Sequence, residues 1–169
     1  MTGTKRIIGF VWASPVTLVG LLYAFACEKL GWYRRRGMMG DAIVWQVIIE
    51  RCPSWLCDMW AKWAGQTIGN VVVLKCDPLS TAGAITLRHE QEHVRQFMIT
   101  GILFYLVYYV CALAIWLTCP RSSSYYTQPF EIEARRAAGQ VVDVEGTVAR
   151  AKNGARMRQA SWPDDRRSS

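Results

Sequence analysis

The stretch Leu87-Arg88-His89-Glu90-Gln91-Glu92-His93-Val94-Arg95-Gln96 holds both histidines of the 169-residue chain. His89 to His93 reads HExxH. On a helix, positions i and i+4 lie one above the other on the same face. Two imidazoles so placed can grip one zinc ion, and the carboxylate of Glu90 then faces water activated at that ion. The same run also reads as a solvated, salt-bridged helix face, because Arg88 to Gln96 is polar at nearly every position. The residues on either side bear on that choice.

Upstream, Gln66 to Leu74 is rich in β-branched residues and predicts a strand, with Gly69 at a bend. Ala42 to Ile49 has a similar character and predicts a second strand. Asp77-Pro78 closes the first of these, and a helix is expected from Ser80 or Thr81, with Ala84, Ile85 and Leu87 on its buried side. A strand that feeds an HExxH helix lies beside the cleft, where its edge can hydrogen-bond an extended peptide. Downstream, Phe97 to Cys119 is an uncharged apolar run long enough to cross a bilayer. It also reads as a helix buried inside the protein, and its Tyr105, Tyr108, Tyr109 and Trp116 are unusual for a purely lipid-facing span.

A zinc ion that keeps an open position needs a third protein ligand. Both histidines are spent, which leaves carboxylates and cysteines. Gln128-Pro129-Phe130-Glu131-Ile132-Glu133-Ala134-Arg135-Arg136 is the best candidate stretch, with Pro129 suited to the first turn of a helix. Glu131 and Glu133 are two residues apart and point to roughly opposite faces, so only one can face a shared metal. Glu133 is the alternative third ligand, and whichever carboxylate is left over is solvated or sits on the helix dipole.

The wider composition sets the location. The chain is 51% hydrophobic with eight Trp, yet it carries 20 Lys and Arg against 13 Asp and Glu, a net charge of +7. A first apolar segment, Ile7 to Cys27, follows Lys5 and Arg6. It reads as a retained hydrophobic element, as a spanning helix or a hairpin bent at Pro15, in preference to a cleaved signal peptide. Apolar blocks flanked by basic clusters suit an anionic membrane surface. No recognisable module interleaves basic and aromatic residues, so no nucleic-acid partner is expected. The six cysteines form no regular framework and read as reduced thiols, with a Cys52–Cys57 disulfide left open. The expected protein is membrane-associated, at a bacterial-type inner membrane or in the cytoplasm. One domain over residues 1–138 and a polar, basic tail over 139–169 are expected, the tail disordered or loosely attached. The expected fold is mainly α with a small β-sheet (α+β).

HExxH followed by Glu131-x-x-Ala134 on a second helix resembles the gluzincin type of zinc peptidase. The pattern of Ser14 to Leu21, Thr67-Ile68-Gly69, His89 to Gln96 and Tyr126 to Ala134 is closer still to small bacterial proteins with an HExxHVRQ helix and a PFExEA helix. That likeness spans about residues 12–138. The resemblance implies that His89, His93 and Glu131 bind zinc and that Glu90 is the general base of a metallopeptidase acting on a peptide or protein substrate. His89-x-x-Glu92-His93 also fits the inverted motif HxxEH, but the strand-before-helix order favours Glu90. Tyr125 or Tyr126 would donate to the developing oxyanion, or only pack at an edge. Gln96 and Arg95 are candidates to hold Glu131 or a loop. The position four after the third ligand, often Asp in that family, is Arg135 here, and this puts the support of a ligand histidine in question. Two alternatives stand beside the peptidase: an inactive zinc-binding protein of the same fold, and a small membrane protein with a chance HExxH.

Overall fold

The computed structural model describes residues 3–118, 127–147 and 149. A long helix α1 (Gly3–Lys29) leads into strands β1 (Tyr33–Met39) and β2 (Ala42–Val47). Helix α2 (Ser54–Lys62) precedes the strands β3 (Gly65–Ile68) and β4 (Val71–Leu74). Then come the motif helix α3 (Thr81–Thr100), a short 3₁₀ turn, α4 (Phe104–Thr118) and α5 (Pro129–Ala137). The architecture is mainly helical around one four-stranded mixed sheet of order β1-β2-β4-β3, the α+β class expected.

α1 runs unbroken through Pro15, so it is no hairpin. Proline lacks the N–H that would bond the carbonyl four residues back. The Ser14 hydroxyl donates to that carbonyl, Val11 O, at 2.7 Å.

The stretch expected as one strand, Gln66 to Leu74, is instead a hairpin. Gly69 takes φ +63° and Asn70 does not share a positive φ, the pattern of a two-residue turn with glycine first. Ile68 pairs with Val71 across it, and β3 becomes the open edge of the sheet. β4 lies between β3 and β2, parallel to β2, with all four residues buried. Val72 and Leu74 face a core with Val94, Phe97 and Met98 of α3, while Val71 and Val73 pack with Trp45, Leu56 and Trp60 on the other side. Alternation along the strand assigns its residues to the two sides.

The second apolar run is likewise not one helix. Phe97 to Thr100 close α3, and Gly101 at φ +59° turns the chain before α4 begins. A Cβ there would lie 2.5 Å from Trp12 Nε1 of α1, so glycine admits both the turn and the contact. Cys52 and Cys57 are free thiols rather than a disulfide. Two helical stretches, Gly3–Lys29 and Thr81–Thr118, are long and apolar enough to cross a membrane.

Candidate metal centre

α3 begins where the Ser80 side chain accepts from the Gly83 N–H at 3.1 Å, satisfying one of the open donors of the first turn. One face of α3 then carries His89, Glu90, His93 and Gln96, all buried. Burying such groups costs free energy unless each finds a partner, and most of them do.

The His89 and His93 Nε2 atoms stand 3.2 Å apart. α5 brings Glu131 against both, with Oε1 3.4 Å from His93 Nε2 and Oε2 3.4 Å from His89 Nε2. With one ligand atom per residue, all three lie within 4.8 Å of one another, a buried group that could hold a metal ion. Glu131 Oε2 and His89 Nδ1 are buried with no aligned hydrogen-bond partner among the described residues. Burial alone would push the Glu131 carboxyl up, but the imidazoles of His89 and His93 outweigh it and hold the pKa at about 2. For His93 burial acts to lower the pKa, and the adjacent carboxylates of Glu131 and Glu90 overcome it, so the value lies above the usual histidine range.

Glu90 lines the same cavity. Its carboxylate accepts from the Thr67 hydroxyl of β3 at 2.7 Å. Burial raises its pKa, despite the nearby histidines and this bond. Room for it comes from Gly65, where a Cβ would fall 2.6 Å from Glu90 Oε1. The cavity, about 740 Å³, runs between the β3 edge and α4.

The alternative ligand Glu133 points away. It is half-exposed and bonds Gln96 Nε2 at 3.2 Å and Arg95 at 3.5 Å. Glu92 is likewise engaged by Arg95. Arg95 is thus part of a surface ion-pair chain, whereas Gln96 is buried and holds the backbone of α5 through Phe130 O at 3.1 Å. Tyr125 and Tyr126 lie outside the described residues. A hydroxyl does reach the site from elsewhere: Tyr108 of α4 donates to Glu131 Oε1 at 3.1 Å. Sequence reasoning missed Tyr108, Thr67 and Gly65. The signal for Tyr108 was its hydroxyl within an otherwise apolar run, four residues after Phe104 and so on the same helix face. Arg135 also lines the cavity; as a cation it offers the histidines no acceptor. Comparison with family models, with curated proteins and with solved structures found no match.

Proposed function

We propose that the protein is a membrane-associated zinc metallopeptidase. The observation that carries this reading is the convergence of His89, His93 and Glu131 from two helices onto one buried point, with Glu90 beside it. A tetrahedral zinc ion with bonds of about 2.0–2.1 Å spaces its ligand atoms about 3.3–3.4 Å apart. Here the imidazole nitrogens stand 3.2 Å apart and each is 3.4 Å from a different oxygen of Glu131, and with one ligand atom per residue all three lie within 4.8 Å of one another. Two imidazoles and one carboxylate are a donor set suited to zinc, and the unpartnered Glu131 Oε2 supplies an open lone pair.

Zinc held by His89, His93 and Glu131 would supply Lewis acidity, polarising a peptide carbonyl and lowering the pKa of water at the site. Glu90 takes a proton from that water as its oxygen attacks the carbonyl carbon. It then returns the proton to the amine nitrogen as the C–N bond breaks. Thr67 holds the carboxylate toward this task, and burial favours its protonated form, which suits a group that carries a proton from one atom to another. The Tyr108 hydroxyl steadies Glu131, and its single hydrogen, once turned from that carboxylate, would serve a developing oxyanion. In the β3–β4 register the backbone groups of Gln66 and Ile68 bond to β4, so those of Gly65 and Thr67 face the open edge. An extended substrate can add there as a further strand.

The membrane part rests on exposure. α1 exposes Ile7, Val11, Leu18 and Leu22, and α4 exposes Leu106, Val110, Leu113 and Leu117. Water-facing surfaces rarely gather apolar residues so densely, and Lys5, Arg6 and Lys29 at the two ends of α1 suit anionic headgroups. One observation favours an inactive zinc-holding protein: His89 Nδ1 is buried without an acceptor, whereas ligand histidines ordinarily have one.

The test is metal content by elemental mass spectrometry on detergent-solubilised protein, followed by hydrolysis of a peptide library with Glu90→Gln alongside. About one zinc per chain and library cleavage abolished in Glu90→Gln, with zinc retained, is the expected result. Zinc without any cleavage would mark the inactive alternative, and no zinc would overturn the proposal.

A further inference from the structure

Gln96 lies one helical turn beyond His93 and is only 2% exposed. Its amide nitrogen is 3.1 Å from Phe130 O and 3.2 Å from a Glu133 carboxylate oxygen. Both of those atoms only accept hydrogen bonds, so the NH₂ end of the amide must face them and spend both hydrogens there. The other end, Oε1, then faces His93 Nδ1 at 2.8 Å, where it can only accept. His93 must therefore keep a proton on Nδ1, which leaves Nε2 as the atom that can give a lone pair toward Glu131 and His89.

We infer that Gln96 is the positioning residue that joins the two halves of the centre. Through Oε1 it selects the metal-competent tautomer of His93. Through Nε2 it holds α5 on both sides of Glu131, at the residue before it and two residues after it. The inference rests on the metal-holding reading above and adds to it a residue that touches neither metal nor substrate. The other histidine has nothing equivalent, since His89 Nδ1 has no hydrogen-bond partner among the described residues. The support is one-sided: among the described residues Gln96 is the amide that meets a histidine of the centre.

The experiment uses the detergent-solubilised 169-residue chain, with zinc affinity read by competition against a chromophoric chelator. In parallel, ¹⁵N spectra of the metal-free protein, with its histidines labelled and the pH raised until His93 is neutral, report which ring nitrogen carries the proton; the chain has only two histidines. Gln96→Leu, which removes both ends of the amide, is expected to weaken zinc binding about 10- to 100-fold. It is also expected to turn the His93 signals from an Nδ1–H pattern to a mixture. Gln96→Glu keeps an oxygen for His93 but loses the donors to α5. It is expected to keep the Nδ1–H pattern and to bind zinc with intermediate affinity, and it tests the link to α5 should the leucine variant fail to fold. A purely structural role would lower the melting temperature without moving the tautomer. Wild-type zinc affinity in both variants, or an unchanged tautomer in Gln96→Leu, would overturn the coupling while leaving the metal centre standing. A wild-type chain that holds no zinc would overturn the centre itself and the coupling with it.

Discussion

α3 and α4 are consecutive helices separated by one glycine-started turn, and their burial is inverted. α3 buries His89, Glu90, His93 and Gln96, while α4 buries only Phe104 and exposes Leu106, Val110, Leu113, Trp116 and Leu117. Composition alone would place the two helices the other way round, the polar one in solvent and the apolar one in the core. On α3, polar groups are inside because they have partners: carboxylate against imidazole, amide against imidazole and carbonyl, hydroxyl against carboxylate. On α4, the first two turns serve the site through Phe104 and Tyr108, and the remainder is largely exposed. The contrast teaches that polarity along a helix reports what the side chains need, and that water is only one way to meet that need.

The sharpest way to break the contrast is to remove the reason for α3's polar interior. His93→Ala is expected to abolish stoichiometric zinc, from about one ion per chain to none, by elemental mass spectrometry. Glu90→Gln leaves the three converging side chains in place and removes the proton carrier. Peptide hydrolysis should fall by about 10²- to 10⁴-fold with zinc content unchanged. On α4 the test is a charge on the exposed face. Leu113→Lys is expected to weaken partition into anionic liposomes by about 3–4 kcal/mol if that face meets hydrocarbon; a change under about 0.5 kcal/mol in flotation assays would place α4 in water. The smallest effect concerns the turn between the helices. Gly101→Ala forces a side chain into a positive-φ position against Trp12, and should lower stability by about 1 to 3 kcal/mol in a thermal melt.

Much of the site was legible before any coordinates. His89 and His93 share a face because a helix advances 3.6 residues per turn, and Glu131 and Glu133 diverge for the same reason. Ser80 and Thr81 both suit the start of the motif helix, and the fold makes Ser80 the cap. Less legible were the breaks. Gly69 reads in the sequence as a bend in one strand, yet its positive φ reverses the chain altogether and creates the open edge beside Glu90. Gly101 leaves no mark inside its apolar run, because hydropathy averages over the one residue that changes direction. Thr67 belongs to a strand whose local pattern is explained without it, and Tyr108 shares its one signal, a hydroxyl in an apolar run, with Tyr105 and Tyr109, so the amino-acid order does not single either out.

The division follows the range of the forces. Periodicity, capping and the two-residue spacing of the carboxylates are set by backbone geometry within a turn or two, so the amino-acid order alone assigns which groups face the same way. Bringing Glu131 to the histidines, and Gln96 to the backbone of α5, requires α3, α4 and α5 to close into one packed unit. That closure depends on burial against the sheet and against α1, contacts between segments far apart in the chain, and only the folded protein decides them.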